Sequence, residues 1–403
     1  MHTSRTSNTT RRIAVVSSSR ADYGHLYWVL KELQAHEHID LHILAMAAHG
    51  SPKFGLTVEQ FERDGFEVRQ MVECLLDSDS DVGMAKTIGL GVLGLADRLG
   101  QLRPDLLLII ADRYEMLAPA ATALALRIPI AHIEGGEISE GAIDDAVRNA
   151  LTKMSHLHFV STEQARRRVC ALGEQAWRVH RAGAPSLDHL TRSHLPDRSA
   201  LERKLNFDLQ TSPWLVSFHP VTLIRKPQAE TDALFNALDT LEGPMVFCFP
   251  NADTGHAGII ERATAFATDR DRTELFINLE PLQYWGLLKQ VRVMIGNSSS
   301  GIMESPSLQL PCVNIGIRQR GRERAANIID APANTAEILN AIRKADSSEF
   351  RQQLNGMKNP YGDSTAAKII ARILSEVPLD DRLLIKSALA LKDGPDACFN
   401  HDG

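Results

Sequence analysis

Several features that mark particular classes of protein are absent from this chain. Its 403 residues carry 44 lysines and arginines against 50 aspartates and glutamates, a net charge of -6. Without a basic surplus, nucleic acid is not an expected partner. Cysteine is scarce and odd in number, and no CxxC spacing occurs among Cys74, Cys170, Cys248, Cys312 and Cys398. This usage indicates a reducing compartment and argues against a zinc site.

Long apolar runs are absent too. No stretch approaches the roughly 18 apolar residues of a membrane span, and residues 1–12 lack an apolar core of signal-peptide length. We therefore expect a cytoplasmic protein without membrane association. No GxGxxG follows the first strand-like run, and neither a Walker GxxxxGK(S/T) motif nor HExxH occurs. We accordingly expect no dinucleotide or other cofactor and no catalytic metal.

What the chain does contain is an alternation of short β-rich runs with amphipathic helical patterns. The apolar fraction of 44% and the charged fraction of 23% are those of a globular protein. Strand-like runs recur between residues 13 and 182, and the same alternation resumes between residues 214 and 315. It predicts an α/β fold of parallel sheets covered by helices on both faces.

The length predicts more than one domain, because 403 residues exceed one ordinary core. The polar stretch 185–213 has few strand signals and is the best junction, so the ligand is expected in a cleft between two α/β halves. The predicted parts are a flexible tail over 1–11, a Rossmann-like domain over 12–190, a second Rossmann-like domain over 191–376 and a polar tail over 377–403.

Acidic residues are concentrated after two of the strand-like runs. Five carboxylates fall within the fourteen residues from His132 to Asp145, directly after the apolar run 128–131. A second apolar run, 106–110, ends in Asp112 and Arg113. Ligands of open α/β sheets bind beyond the carboxyl ends of the strands. Acids gathered there suit removal of an acidic C–H proton and protonation of a leaving group, so we expect an active site.

Each acid taken alone also has a structural interpretation. Asp112 could pair with the adjacent Arg113 or a helix N-terminus, and Asp144 and Asp145 suit the first turn of a helix. Glu134 and Glu137 flank two glycines, which allow the protein backbone to approach a ligand closely. The functional interpretation depends on all of these residues meeting at one edge of a sheet.

Further polar clusters follow other strand-like runs. Hydroxyls and backbone N–H groups of the Gly296–Gly301 segment are typical of an anion site at a helix start. A serine cap with Glu304 completing a capping box explains the same residues. The arginines that follow favour a bound pyrophosphate; they are Arg318, Arg320, Arg322 and Arg324. Arg20 and His219 suit a phosphate-binding cleft, although either alone could be an ordinary loop residue.

Together these motifs resemble the hydrolysing UDP-N-acetylglucosamine 2-epimerases, the enzymes that open sialic-acid biosynthesis. They occur in one order between about residues 12 and 375. The matching segments are Arg20–Gly24, Asp112–Glu115, His132–Glu137, Gly141–Asp145, Thr152–Lys153, His219–Thr222, Pro250–Gly255, Asn297–Gly301 and Asn314–Gly316. The resemblance implies a GT-B-type arrangement of two Rossmann-like domains, with UDP bound in the cleft mainly by the second.

The resemblance also implies a two-step hydrolase reaction and a set of site residues. Loss of the C2 proton and of UDP gives 2-acetamidoglucal, and water addition then releases N-acetylmannosamine. The implied catalytic residues are Asp112, Glu134, Asp144 and His219. The implied substrate-binding residues are Arg20, Arg113, Glu137, Asn251, Asp253, Ser298, Ser299, Glu304 and Arg318. The role of each acid stays open, and a homo-oligomer, a dimer or tetramer, is expected.

Four alternatives remain at this point. Relatives act on UDP- or GDP-linked 2,4-diacetamido-2,4,6-trideoxyhexoses of legionaminic-acid type pathways. A non-hydrolysing 2-epimerase typically carries Gly-Thr-Arg-Pro-Glu, whereas this chain has Arg20-Ala21-Asp22-Tyr23. A GT-B glycosyltransferase needs fewer carboxylates than this chain carries. A nucleotide-sugar sensor would bind without turnover. Two further departures from the family pattern are Ser17-Ser18-Ser19 in place of Thr-Gly-Thr, and Asn149 in place of histidine after Arg148.

Overall fold

The computed structural model describes residues 10–76, 78, 80–140, 142–219, 227–249, 257–277 and 279–388. Two of the expected substrate-binding residues, Asn251 and Asp253, lie outside these ranges, as do Gly141 and the Pro220–Thr222 part of the His219 motif. Within the described ranges the chain forms two parallel sheets covered by helices.

The first sheet has seven strands in the described part of the chain, in the spatial order β3-β2-β1-β4-β5-β6-β7. All their pairings are parallel. The strands are β1 Arg11–Ser17, β2 Ile39–Met46, β3 Val68–Val72, β4 Leu106–Ile110, β5 Ile130–Ile133, β6 Leu157–Val160 and β7 Val179–Arg181. Strand order reverses between β1 and β4, which is where ligands of Rossmann-like sheets bind.

Helices connect these strands and cover both faces of the sheet, which is why β4 is an unbroken run of buried leucine and isoleucine. They are α1 Arg20–Ala35, α2 Val58–Arg63, α3 Asp81–Leu102, α4 Leu117–Ala125, α5 Ile143–Met154 and α6 Glu163–Ala171. After β7 come α7 Asp188–Arg192 and α8 Arg198–Leu205, and the buried leucines of α8 pack in the core of the second sheet. The Ser19 side chain accepts a hydrogen bond from the Asp22 N–H and caps α1.

The second sheet has six described strands, all parallel, in the order β10-β9-β8-β11-β12-β13. They are β8 Trp214–Ser217, β9 Met245–Phe249, β10 Thr273–Ile277, β11 Val293–Gly296, β12 Cys312–Ile315 and β13 Ile328–Ala331. Their helices are α9 Pro227–Leu238, α10 Ala257–Thr268, α11 Pro281–Leu288, α12 Ser300–Met303, α13 Thr335–Ala345 and α14 Ser348–Gln353. The predicted α/β class with two Rossmann-like sheets is confirmed.

The last helices, α15 Ala366–Glu376 and α16 Asp381–Leu384, return to the first sheet. Ile370, Leu374 and Leu383 are buried in the core that surrounds β1 and α1. The predicted second domain, 191–376, included α15, and the predicted tail began at 377. Because the apolar face of α15 is buried against α1, we propose that residues 366–388 belong with the first domain. No helix in the described ranges is both long and apolar enough to cross a bilayer.

Candidate active site

Two adjoining cavities lie between the sheets, at the carboxyl edges of both. The first, of about 300 Å³, is lined mainly by residues that follow β4 and β5. The second, of about 330 Å³, is lined mainly by residues that follow β1, β10 and β11, together with the ends of β8 and β9. Six residues line both and form their shared wall: Ala21, His25, Arg113, His219, Ser299 and Arg318. The predicted cleft between two Rossmann-like units is therefore present.

The first cavity brings together the acids that the sequence singles out. Asp112, Glu134, Glu137 and Asp144 all line it. Glu140, another acid of the same segment, is half-exposed and lies 3.8 Å from Arg320. Asp22 and Glu115 line the first cavity as well, so six carboxylates share it. Like charges at short range oppose one another's ionisation, so these carboxyls are expected to differ in their pKa.

The strand ends turn sharply where the acids begin. Ala111 and Glu134 both adopt left-handed backbone conformations, with φ of 60° and 66°. Such conformations cost a non-glycine residue about 1 kcal/mol or more. His132 joins the two turns, since its Nε2 lies 2.8 Å from the Ala111 carbonyl oxygen. Burial lowers the pKa of His132 to about 4, so the neutral ring donates this bond and has a structural role.

Gly136 explains the glycine in the acidic segment. Its φ is +78°, and a Cβ there would lie 2.4 Å from the Ala165 carbonyl oxygen. A side chain would therefore displace α6 or the loop that carries Glu137. Gly136 is therefore required for backbone packing against α6.

Arg148 on α5 is a site residue that the sequence analysis did not single out. Its Nη2 donates to the Asp112 carboxylate and, at 3.1 Å, to Ser139 Oγ. Its Nη1 donates to the Glu137 carbonyl oxygen at 2.9 Å. Of the structural alternatives for Asp112, the ion pair with Arg113 is not formed: Asp112 pairs with Arg148, and Arg113 donates to Glu115 at 3.1 Å. Helical spacing was the available signal, since Arg148 lies three residues after Asp145 and its Nη1 is 3.5 Å from the Asp145 carboxylate.

The environments of the acids differ. Burial, reinforced by the negative charge of Asp112, raises the pKa of Asp144 to about 6. Burial also raises the pKa of Glu137, although Arg322 and Arg148 oppose it. A carboxyl with a pKa of about 6, such as that of Asp144, can donate as well as accept a proton near neutral pH.

Glu134 behaves in the opposite way because of a second residue that sequence reasoning missed. His25 Nδ1 lies 2.9 Å from Glu134 Oε1. Burial would raise the pKa of Glu134, but the charge and the hydrogen bond of His25 outweigh it and lower the pKa. Burial likewise would lower the pKa of His25, and the Glu134 carboxylate raises it to about 9.

The second cavity has an aromatic and a polar side. Phe249, Tyr284 and Trp285 line the aromatic side. Arg20, Ser298, Ser299, Glu304 and Arg318 line the polar side. The capping-box interpretation of Glu304 is wrong, because it follows α12 and its Oε1 accepts from Ser186 Oγ at 2.5 Å. Burial raises the pKa of Glu304.

The ends of β8 and β11 are held together beside the shared wall. Asn297 Oδ1 accepts from the His219 N–H at 2.7 Å, and its Nδ2 donates to the His219 carbonyl oxygen at 2.8 Å. Gly296, with a φ of +138°, would place a Cβ 1.9 Å from the Ser217 carbonyl oxygen. Asn297 therefore positions His219, and Gly296 permits the close approach of the two strand ends.

The four arginines after β12 separate in space. Arg318 lines both cavities, and Arg322 lines the first while its Nε donates to the Ile138 carbonyl oxygen at 2.7 Å. Arg320 lies beside Glu140, and Arg324 pairs with Asp330 at 3.1 Å. Their expected common role at a pyrophosphate is wrong for Arg320 and Arg324, because neighbouring positions in this turning loop point to different sides.

The family of the chain follows from comparison with known proteins. Residues 31–375 match the family model described as UDP-N-acetylglucosamine 2-epimerase, which is more than half of the sequence. The chain belongs to the UDP-N-acetylglucosamine 2-epimerase family. The resemblance stated from the motifs is thereby confirmed.

Relatives cover nearly the whole of this epimerase-family chain. It is 38% identical over 374 residues to the GDP/UDP-N,N'-diacetylbacillosamine 2-epimerase (hydrolyzing) of Campylobacter jejuni, covering 92% of this chain and 97% of that protein. It is 33% identical over 377 residues to the UDP-N,N'-diacetylbacillosamine 2-epimerase (hydrolyzing) of Legionella pneumophila, covering 93% and 98%. The S. aureus MnaA-UDP structure aligns with a TM-score of 0.75 at 17% identity, over 91% and 96% of the two chains. That likeness confirms the GT-B-type fold.

Proposed function

We propose that this family member is a hydrolysing 2-epimerase that acts on a nucleotide-linked 2-acetamido sugar. The observation that carries the proposal is the convergence of Asp112, Glu134, Glu137 and Asp144 in one cavity that shares a wall with an aromatic-lined one. The sugar would occupy the first cavity and the nucleoside base the second, where aromatic faces favour stacking.

The shared wall suits a diphosphate between the two. Arg113, Arg318 and His219 are cationic or hydrogen-bonding groups there, and Ser299 adds a hydroxyl. Groups of this kind offset the charge that develops on a departing diphosphate. In this proposal His219 stabilises the leaving group, and Arg113, Arg318 and Ser299 bind the substrate.

The proposed reaction conserves atoms in two steps. A carboxylate takes the C2 proton, the C2–H electrons form the C1=C2 double bond, and the C1–O electrons leave with the nucleoside diphosphate. Water then adds its hydroxyl to C1, while C2 receives a proton on the face opposite to that of the original hydrogen. The carboxylates of the first cavity can stabilise the positive character that develops at C1.

For the sugar, we propose a 2,4-diacetamido-2,4,6-trideoxyhexose linked to UDP or GDP as the preferred substrate. The support is that two relatives of 38% and 33% identity carry that activity in their names. UDP-N-acetylglucosamine, giving N-acetylmannosamine and UDP, is the second candidate, because a relative from Neisseria meningitidis of 32% identity is named for it.

An NMR time course in deuterated water tests the proposal. The purified protein receives UDP-N,N'-diacetylbacillosamine, its GDP counterpart or UDP-N-acetylglucosamine in separate samples. We expect a free 2-epimer carrying deuterium at C2, together with the nucleoside diphosphate. A 2-epimer still linked to the nucleotide would identify a non-hydrolysing enzyme. Turnover only with an added acceptor would identify a transferase, and binding without turnover a sensor.

A further inference from the structure

His25 occupies an unusual place for a residue of helix α1. It lies in the second turn and lines both cavities, in the same shared wall as Arg113 and Arg318. Its Nδ1 is 2.9 Å from Glu134 Oε1, and the two side chains are 29% and 9% exposed. The pair thus joins the end of β5 to α1 across the mouth of the sheet.

We propose that His25 is a positioning residue for Glu134, holding that carboxylate deprotonated and in one orientation at the boundary of the two cavities. The inference rests on the proposed function, since Glu134 acts there on the sugar. Its consequence is a division of labour among the acids: Glu134 accepts the C2 proton, whereas Asp144 and Glu137 are the groups able to donate one.

The backbone segments that carry Glu134 and His25 are each anchored by further hydrogen bonds. The Glu134 N–H donates to the Phe159 carbonyl oxygen at 2.8 Å. Helix α1 is anchored by Asp22, whose Oδ2 accepts from the Ser18 N–H at 3.0 Å and from Ser18 Oγ at 2.6 Å. A hydrogen bond between two such anchored elements removes orientational freedom from the carboxylate.

The charges around His25 favour its protonated ring. Glu134, Glu304 and Asp22 face it from β5, the segment after α12 and its own helix, and each carboxylate would stabilise the imidazolium when ionised. Arg113 and Arg318 share its wall and act in the opposite direction.

Around Glu134 the balance favours the carboxylate. His25 and Arg322 stabilise its charge, and Asp112 opposes it. The raised pKa of His25, about 9, and the lowered pKa of Glu134 agree with one ion pair at neutral pH. Removal of the imidazolium would leave burial as the largest influence on Glu134, so the carboxyl would hold its proton more tightly.

The pH dependence of turnover tests this role. In His25→Leu we expect the acidic limb of the kcat profile to move upward by roughly one to three pH units, the range for loss of an adjacent opposite charge. KM should change much less than kcat. His25→Asn keeps an N–H donor without the charge and should orient Glu134 but still shift the limb. His38→Leu, on an exposed histidine, is the matched control and should leave the profile unchanged.

A titration by NMR separates this inference from the proposed function. In protein with labelled histidines, His25 should titrate near pH 9, and in Glu134→Gln its midpoint should fall by several units. A His25 midpoint that is ordinary and insensitive to Glu134→Gln overturns the inference, as does an unchanged kcat profile in a folded, active His25→Leu variant. If the wild-type protein turns over none of the nucleotide sugars, the proposed function fails, and the titration alone decides whether the pair exists.

Discussion

Two of the histidine–glutamate pairs in the described part of the first domain have similar distances but histidines whose pKa values are shifted in opposite directions. His25 and Glu134 are 2.9 Å apart in the cleft, and His158 and Glu174 are 3.2 Å apart, away from both cavities. The cleft histidine has a raised pKa. The pKa of His158 is lowered, because burial outweighs its bond to Glu174.

The cations around each carboxylate explain the difference. Glu174 also accepts from Lys153 at 2.6 Å and from Lys386 at 2.7 Å. Burial would raise its pKa, but the hydrogen bonds of His158 and the two lysines lower it to about 2. With two ammonium groups already present, His158 stays neutral and serves as a hydrogen-bond donor. Glu134 has no lysine bonded to it among the described contacts, so its histidine carries the charge.

The two pairs therefore serve different purposes. The His158–Glu174 pair holds Lys386, whose Nζ also donates to the carbonyl oxygens of Lys153 and Ser155 at 2.8 Å each. Buried Arg178 lies nearby and donates to the carbonyl oxygens of Leu383, Arg382 and Ile385. These contacts attach the end of the described chain to the first domain. The cleft pair, in the role proposed for it, keeps Glu134 ionised beside the sugar.

The largest expected difference between the pairs is in turnover. Glu134→Gln should lower kcat by roughly 10²–10⁴-fold, the contribution of a general acid or base, while UDP binding stays nearly unchanged. Glu174→Gln, the matched change in the other pair, should leave kcat per folded molecule near that of the wild type. Steady-state kinetics and UDP titration measure both. Equal losses of kcat in the two variants would remove the distinction.

Stability should show the reverse order. Glu174→Gln leaves two lysines without their carboxylate and should lower the free energy of unfolding by about 3 kcal/mol. Urea unfolding followed by circular dichroism measures it. Glu163→Gln, at a 40%-exposed side chain on α6, is the control and should change stability by no more than about 0.5 kcal/mol. If Glu174→Gln were as stable as Glu163→Gln, Lys153 and Lys386 would not depend on the Glu174 carboxylate for their stabilisation.

The pH dependence of these stability changes sharpens the contrast. The lowered pKa of Glu174 means that its contribution is complete above about pH 4.5 and is lost as pH falls toward 2. The raised pKa of His25 means that its contribution is complete below about pH 6.5 and is lost as pH rises through about 9. The free energies of unfolding of Glu174→Gln and the wild type should therefore converge at acidic pH. Those of His25→Leu and the wild type should converge at alkaline pH. Convergence of both variants at the same end would contradict a charged His25 and an ionised Glu174 at neutral pH.

Arg178→Lys should have a smaller effect on stability, about 2 kcal/mol. An ammonium group cannot satisfy all of the buried carbonyl oxygens that this guanidinium reaches. Hydrogen exchange should show faster opening of residues 380–386, with turnover at saturating substrate unaffected. Unchanged exchange there would mean that Arg178 does not hold the segment.

The smallest expected effect is that of Lys386→Met, about 1 kcal/mol. Its side chain is 22% exposed, and Lys153 still neutralises Glu174 in the variant. The pKa of His158 should rise, because it loses a nearby positive charge. NMR of His158 beside urea unfolding measures both. A fall in the pKa of His158 would show that the number of lysines around the glutamate does not explain the difference between the His158–Glu174 and His25–Glu134 pairs.

Much of the site could be predicted from local pattern. Apolar runs identified the strands, and the rule that ligands bind at the carboxyl ends of parallel strands brought Asp112 and Glu134 to one edge. Asp112 and Glu134 could be predicted because a residue that directly follows a strand in the sequence also lies at the carboxyl edge of the sheet.

Residues that act from elsewhere carried no such mark. His25 lies within one helix and Arg148 within another, and neither follows a strand directly. The same limit applies to α15, whose apolar periodicity indicated a helix but could not say which domain buries it.

The sequence by itself therefore determined the fold class, the family and the acids of the cleft, since each follows from residue types at short spacing. Tertiary structure alone decided which acid is charged and which can hold a proton. A pKa depends on the groups packed around a side chain, and Glu134 owes its charge to a histidine 109 residues away in sequence.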